Sequence, residues 1–197
     1  PLNVTIGEYD INWGESQDEI APGKYTLEIT FEGKVNTSSD GMYLSRFEET
    51  NYIFTQFEDM HARKAFPSFD EPNFKIPYQM TISSPEHQEI VGNTPVEKVT
   101  VENGIKTVVF EKTKPMPTYL IAYTVGPFDS AEISGLSVPG KIYVPKGYAD
   151  KTKFVIKHIP EILASLEDFF GIKYPYKKMD FVAVPNFTHG AMENVGL

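Results

Sequence analysis

The sequence of 197 residues contains no cysteine, so it has no disulfide framework and gives no indication of its redox compartment. It also lacks any run of about 18 apolar residues, which argues against a membrane segment in this chain. Basic residues are scarce: 18 Lys and Arg stand against 27 Asp and Glu, and none cluster well enough to neutralise a row of phosphates. Nucleic acid is therefore disfavoured as a partner. The oligomeric state and a cytoplasmic, periplasmic or extracellular location stay open for a soluble protein.

The residues that are present favour a folded chain. Hydrophobic residues make up 41% of the sequence and aromatic residues 13%, which is typical of globular proteins. The length suits one domain and part of a second. The net charge of −9 either favours cationic ligands or serves solubility alone, and composition does not separate these two interpretations.

Alternating side chains predict that short strands dominate the first part of the chain. Residues 25–31 and 78–82 alternate between apolar and polar positions, which is typical of half-buried strands. Runs rich in β-branched residues predict further strands at 96–101, 107–110 and 119–125. The apolar positions are Tyr25, Leu27, Ile29 and Phe31 in the first segment and Tyr78, Met80 and Ile82 in the second. The sequence thus predicts a mainly β domain, built as a saddle or sandwich of sheets.

A domain boundary is predicted where the pattern changes. Glycine and proline accumulate between Gly135 and Gly147, and beyond them the apolar period lengthens from two residues to about 3.6. We therefore assign residues 1–137 to the β domain and residues 138–197 to the beginning of a second domain.

The second part of the chain predicts one long helix and one strand. Residues 151–170 carry apolar side chains at helical spacing, and Gly171 follows as a C-terminal stop. Pro160 lacks a backbone donor, so a kink or a fresh helix start is expected there. Residues 179–184 are predicted to form a strand.

Two motifs in this sequence resemble one enzyme family. Residues 190–194 read Gly-Ala-Met-Glu-Asn, a pentapeptide expected by chance in on the order of one in ten thousand chains of this length. Residues 55–58 read Thr-Gln-Phe-Glu, and residues 62–72 read Ala-Arg-Lys-Ala-Phe-Pro-Ser-Phe-Asp-Glu-Pro. The pentapeptide resembles the exopeptidase signature of the zinc aminopeptidase N family, and the other segments are similar to that family in the same order. The likeness runs from about residue 25 to residue 197, although residues 96–139 match only in general character.

The resemblance implies a fold, an activity and a substrate. It implies that the β domain precedes an α/β, thermolysin-like catalytic domain of an enzyme that removes amino-terminal residues from peptides. Glu58 from the first domain and Glu193 from the second would surround the ammonium group of the substrate. That group is mostly charged at neutral pH because the α-amino pKa is about 8, and a charge-assisted pair with a carboxylate both orients and binds it.

The remaining substrate-binding residues are also implied by the resemblance. Gly190 and Ala191 would run beside the substrate and exchange backbone hydrogen bonds with it. Gln56 and His189 would border the pocket for the first side chain. A solvated strand position for Gln56 and an ordinary loop histidine for His189 are the alternatives. The motif contributes two more substrate-binding residues, Met192 and Asn194.

The metal-binding part of the family pattern does not occur in this chain. The family holds zinc with His-Glu-x-x-His and a later Glu, which leaves one position for water. No such pattern is present, so the zinc ligands, the general base and the oxyanion stabiliser are expected beyond Leu197. We therefore expect no metal site and no catalytic residue in this chain, truncation at both ends, and no peptidase activity from these residues alone.

Departures from the family leave substrate preference and one rival function open. Val195, Ser68 and His189 differ from residues that many relatives carry, which puts the preferred substrate in doubt. Asp70 is expected to be structural, pairing with Arg63 or capping a backbone amine. The rival is a non-catalytic scaffold or peptide-binding relative of the same fold. An isolated β-sandwich module for adhesion or carbohydrate binding would not explain residues 151–197.

Overall fold

The computed structural model describes residues 5–6, 11–12 and 21–197, the first two pairs by their backbone alone. In this part of the chain one α-helix accompanies a set of short strands, so the fold is mainly β, as the sequence predicts. The helix is α1 (Lys153–Phe170). The strands are β1 (Thr5–Ile6), β2 (Ile11–Asn12), β3 (Gly41–Phe47), β4 (Thr50–Gln56), β5 (Thr81–Pro85), β6 (Glu89–Gly92), β7 (Val96–Glu102), β8 (Ile105–Phe110), β9 (Tyr123–Gly126), β10 (Phe128–Glu132), β11 (Lys141–Pro145) and β12 (Phe181–Val182).

The described strands form one isolated pair and three sheets. β1 pairs with β2, and the sheets have the orders β3-β4-β9-β6, β5-β8-β7 and β10-β11-β12. Every pairing is antiparallel except that of β11 with β12. Local turn chemistry sets the β7–β8 hairpin, because Asn103 and Gly104 occupy left-handed conformations with φ of 52° and 76°. The predicted domain boundary after residue 137 lies between the paired strands β10 and β11, and it stays a prediction.

The predicted strand at residues 25–31 is wrong. The segment contains no strand, and its four apolar side chains are between 41% and 66% exposed. Alternation describes which face a strand would bury, but a strand also needs a neighbour for its backbone groups. None of the described strands pairs with this segment.

Two other predicted strands are displaced or shortened. Residues 118–120 form a 3-10 turn, and β9 begins only at Tyr123, because the Ile121 N–H turns back to the Thr118 carbonyl and the Ala122 N–H donates to a side chain. The strand predicted at residues 179–184 is reduced to β12, since the Asp180 N–H donates to Gly196 instead of to β11. At residues 78–82 the predicted burial is confirmed, since the three apolar side chains are partly buried against the core, but the strand begins only at Thr81 in β5.

The predicted helix is confirmed, with a correction at Pro160. α1 follows a 3-10 turn (Ala149–Thr152) and ends at Gly171, whose φ of 65° gives the expected left-handed cap. No fresh start occurs at Pro160, because the helix runs through it. Its ring lies against Gly135, where an added Cβ would be 3.4 Å from the proline Cβ, and the neighbouring Ile156 and Ile159 pack on the β10–β11 sheet. That packing offsets the missing hydrogen bond.

The buried carboxylate of Glu167 fastens the end of α1 to the following loop. It accepts hydrogen bonds from the Lys173 ammonium at 2.8 Å, the Ser137 hydroxyl at 2.5 Å and the Tyr174 N–H at 2.8 Å. These bonds, led by the one from Lys173, lower the pKa of Glu167 from 4.5 to about 2. A carboxyl group whose pKa is depressed by folding adds stability above its unfolded pKa and loses it as pH falls toward its folded pKa.

We therefore expect Glu167→Gln to remove part of the acid sensitivity of the protein. The parent should lose stability between about pH 4.5 and 2 more steeply than the variant, while the variant is less stable at neutral pH. Urea unfolding midpoints of the full-length protein, measured across this range, give the comparison. Glu161→Gln, at an exposed position on the same helix, is the matched control and should follow the parent. Parallel curves for the parent and the Glu167 variant would contradict the prediction.

Candidate functional site

A cleft of about 770 Å³ separates the β sheet from the carboxyl-terminal segment of the chain. One wall comes from the ends of β4 and β9, including Gln56 and Tyr123, and the other from residues 174–197. All five residues of the pentapeptide at 190–194 line this cleft. The two motifs that sequence reasoning singled out therefore face one cavity.

Gln56 and Met192 join the two walls directly. Gln56 is the last residue of β4 and is 3% exposed, and its amide Nε2 donates to the Met192 Sδ at 3.4 Å. The interpretation of Gln56 as a solvated strand position is thus wrong, because its side chain is buried in the wall of the cleft. A buried amide held by a thioether contributes a fixed polar group to this wall.

Glu193 lines the cleft, whereas Glu58 is not part of its wall. Both are exposed, and within residues 21–197 neither carboxylate has a hydrogen-bond or ion-pair partner. Consecutive Cα atoms are about 3.8 Å apart, so the Cα of Glu58 lies within about 8 Å of that of Gln56, and Glu193 adjoins Met192. The backbone of each glutamate therefore lies within two residues of the contact between Gln56 and Met192.

The pentapeptide has no regular secondary structure. Gly190 has a φ of 79° with open space where a Cβ would stand, and the Ala191 N–H turns back to the His189 carbonyl at 3.0 Å. The backbone groups of Met192 and Glu193 pair with no other group of residues 21–197. The segment thus presents unpaired backbone donors and acceptors beside the cleft, which is the arrangement that strand-like peptide binding requires.

His189 lies beside the cleft without lining it. It is exposed, and its ring lies tilted against that of Phe187 with centroids 5.4 Å apart, while Phe187 itself contributes to the wall. Asn194, the last residue of the pentapeptide, lies in the wall and is partly buried. Among the predicted site residues, the structure therefore gathers six in the lining of the cleft and leaves Glu58 and His189 outside that lining.

Tyr123 is an ionisable residue of the β wall, and its phenol stays neutral near neutral pH. Burial raises the pKa of Tyr123 to about 12. Its hydroxyl lies 3.2 Å from the Met42 Sδ, which it reaches as a donor. The phenol therefore contributes an aromatic surface and a hydrogen-bond donor, and not a base.

The segment after the pentapeptide is fixed by residues that sequence reasoning missed. Val195 packs in a core cluster with Phe57 and Ala62 of the β domain, and its carbonyl accepts a hydrogen bond from Asn93 at 2.8 Å. Gly196 accepts from the Asp180 N–H at 3.1 Å and from the Lys178 ammonium at 2.9 Å. No sequence signal marks these partners, because a buried asparagine looks like any turn residue.

The ion pair of Lys178 and Asp180 supports this anchor. Their side chains are 12% and 8% exposed, and the ammonium lies 2.6 Å from the carboxylate. Burial lowers the pKa of Lys178, and the neighbouring carboxylate opposes that shift. The Asp180 carboxylate also accepts from the Lys141 N–H at 2.8 Å, so the pair connects the cleft wall to β11.

Asp70 is structural, as predicted. Its carboxylate is 2% exposed, accepts from the Arg63 N–H at 3.0 Å and pairs with the Arg63 guanidinium at 3.4 Å. The Thr118 hydroxyl donates to its other oxygen. This network ties the loop that begins at Glu58 to the turn that precedes β9.

The described residues contain no group of three His, Cys, Asp or Glu side chains that could hold a metal ion. Across the same residues, no helix is both long and apolar enough to span a membrane.

Comparison with known proteins identifies the family. Residues 7–120 match the Peptidase M1 N-terminal domain, and residues 154–197 match the Peptidase family M1 domain. The chain is 37% identical to Aminopeptidase M1-D of Oryza sativa subsp. japonica over all of its own length and 23% of the relative. It is 36% identical to Aminopeptidase A of Gloydius brevicauda, over 93% of the chain and 20% of the relative. It is 35% identical to Aminopeptidase N of Acetobacter pasteurianus, over 91% of the chain and 52% of the relative. The chain spans only a fraction of the length of these relatives, and it belongs to the peptidase M1 family.

Proposed function

We propose that the full-length protein carrying these residues is a zinc-dependent aminopeptidase, and that this chain binds the amino terminus of its peptide substrates. The observation that carries the proposal is the contact between Gln56 and Met192, which brings the end of β4 and the pentapeptide to one cleft. The relatives named above are all aminopeptidases. Peptides with a free amino terminus are therefore the proposed substrates.

The chemistry proposed for the cleft is recognition of a cation. Glu193 and Glu58 have no internal partner among residues 21–197, so their carboxylates are available to an incoming ammonium group. Two carboxylates near one another repel, and a bound ammonium relieves that repulsion. Fixing the ammonium places the first peptide bond one residue further along the substrate. The unpaired backbone of Met192 and Glu193 would hold the substrate chain beside it.

The zinc in this proposal is inferred from membership of the peptidase M1 family. The metal would polarise the carbonyl of the scissile bond and supply the attacking water. The described residues do not form a ligand group that fits zinc. The proposal therefore gives this chain substrate binding, places metal binding beyond it, and expects residues 1–197 alone to be inactive.

The test compares substrates that differ only at the amino group. We expect the full-length protein to hydrolyse an aminoacyl anilide with a free amine and to lose roughly thirtyfold or more in kcat/KM when that amine is acetylated. Such a loss matches the about 2 to 5 kcal/mol that follows removal of one partner of a charged pair that the bound substrate buries. A chelator should abolish hydrolysis of the free substrate.

Two outcomes would contradict the proposal. Equal hydrolysis of the free and acetylated substrates would exclude recognition of the ammonium. A full-length protein that binds peptides but does not cleave them would favour the non-catalytic scaffold instead.

A further inference from the structure

Asn93 is a buried polar residue at the junction of the two walls. It directly follows β6, is 2% exposed, and lies outside the cleft itself. Its side-chain amide bonds three main-chain groups: Nδ2 donates to the Leu120 carbonyl at 2.9 Å and to the Val195 carbonyl at 2.8 Å, and Oδ1 accepts from the Ala122 N–H at 2.8 Å. Both ends of the amide are therefore used.

The bond to Val195 connects positions 102 residues apart in sequence. Val195 directly follows the pentapeptide, and the pentapeptide has neither helix nor strand to hold it. Apart from the contact of Met192 with Gln56, its position therefore depends on attachments at its ends. On the amino-terminal side, residues 188–190 are exposed, so the tighter attachment is the one at Val195 and Gly196.

The backbone of Asn93 supports the same attachment. An added Cβ at Gly196 would lie 2.1 Å from the Asn93 carbonyl oxygen, so the two main chains are in direct contact. Asn93 also fixes Leu120 and Ala122, which both line the β wall of the cleft. Asn93 thus fixes the spacing between the β wall and the end of the pentapeptide, in addition to the contact of Gln56 with Met192.

We infer that Asn93 is a positioning residue for substrate binding: it holds the pentapeptide, and with it Glu193, at a fixed distance from the β wall. This inference rests on the proposed function. An amide is suited to the role because it donates and accepts at once, whereas a carboxylate could not donate to two carbonyls. Removing it leaves three buried main-chain groups without their partner, and the segment can then shift to reach water.

The experiment measures KM and kcat separately for Asn93→Ala in the full-length enzyme. We expect KM for the free aminoacyl anilide to rise about tenfold to hundredfold, the change that losing one or two hydrogen bonds produces, while kcat stays within about threefold. A displaced binding segment weakens ground-state and transition-state binding alike, so its effect falls on KM. A merely destabilised enzyme has fewer active molecules, which lowers the apparent kcat and leaves KM unchanged.

Thr113→Val is the matched control. Thr113 is buried and does not line the cleft, and its hydroxyl accepts from the Tyr78 N–H at 2.9 Å, so the variant also loses a partly buried hydrogen bond. Its KM should stay within about twofold of the parent. A second measurement distinguishes local displacement from general misfolding. Amide hydrogen exchange of the full-length Asn93 variant should accelerate at residues 119–123 and 190–197, and not across β7 and β8.

The outcomes separate this inference from the function on which it rests. An unchanged KM in Asn93→Ala, or faster exchange across the whole β domain, would overturn the positioning role. If in addition acetylated and free substrates were hydrolysed equally by the parent, the proposed function itself would fail. If KM were unchanged in Asn93→Ala while the parent still preferred the free substrate over the acetylated one, only the positioning role of Asn93 would be wrong, and the proposed function would stand.

Discussion

Replacing Glu193 by glutamine in the full-length protein is expected to lower kcat/KM for substrates with a free amino terminus by roughly thirtyfold to several thousandfold. Glu193 is exposed in the open cleft, so that range, about 2 to 5 kcal/mol, is the cost of truncating one member of a charged pair that becomes desolvated when the substrate covers it. Glutamine keeps the shape of the side chain, so the loss would report its charge. The carboxylate lines the cleft and has no competing partner within residues 21–197, which leaves its full charge for a ligand.

The size of the loss should depend on the substrate. The acetylated anilide has no ammonium to lose, so its already slow hydrolysis should be nearly the same in the parent and in Glu193→Gln. Glu71→Gln is the control, because Glu71 is exposed and is not part of the cleft wall. We expect its kcat/KM to stay within about twofold of the parent. A Glu193 variant that also stays within a few-fold would remove Glu193 from amino-terminus recognition.

Glu58 offers a sharper version of the same experiment. If both carboxylates contact one ammonium group, the losses in Glu58→Gln and Glu193→Gln should not add in the double variant. Strict additivity would instead indicate that Glu58, which does not line the cleft, acts independently of Glu193.

Local chemistry explains which elements the sequence could predict. The helix α1 ends at Gly171 because glycine tolerates the left-handed cap, and the β7–β8 hairpin turns at Asn103 and Gly104 for the same reason. Each depends on residues a few positions apart. The pentapeptide could likewise be recognised without coordinates, since its information lies in five consecutive residues.

Distant partners explain what the sequence could not predict. Residues 25–31 have the alternation of a strand, but no described strand pairs with them, and no local pattern reveals whether a neighbour exists. Asn93 has a partner that the sequence does not reveal. That partner, Val195, is 102 residues away, and nothing in the sequence around Asn93 distinguishes it from a turn residue. Gln56 was assigned to the site through resemblance, while its burial and its contact with Met192 required the fold.

The contact between Gly196 and Asn93 leads to the prediction with the largest structural effect. Gly196 has a φ of 73°, and a Cβ there would lie 2.1 Å from the Asn93 carbonyl oxygen, well inside any permitted contact. The backbone cannot easily move away, because the Gly196 carbonyl accepts from Asp180 and its N–H donates to the Tyr174 hydroxyl at 3.2 Å. Gly196→Ala must therefore break these bonds or the one from Asn93 to Val195.

We expect Gly196→Ala to destabilise this region by about 2 to 5 kcal/mol, as the sum of about 1 to 2 kcal/mol for a left-handed alanine and about 1 to 3 kcal/mol for overpacking. Gly147→Ala separates the two contributions, since Gly147 has a φ of 92° and no atom within 4 Å of an added Cβ. It should cost only about 1 to 2 kcal/mol. Hydrogen exchange of the Asp180 and Ala122 amides in the full-length protein measures the difference, because both amides donate into this junction. Equal acceleration in the two variants would mean that the main chains of Gly196 and Asn93 are free to separate, and that the pentapeptide is held elsewhere.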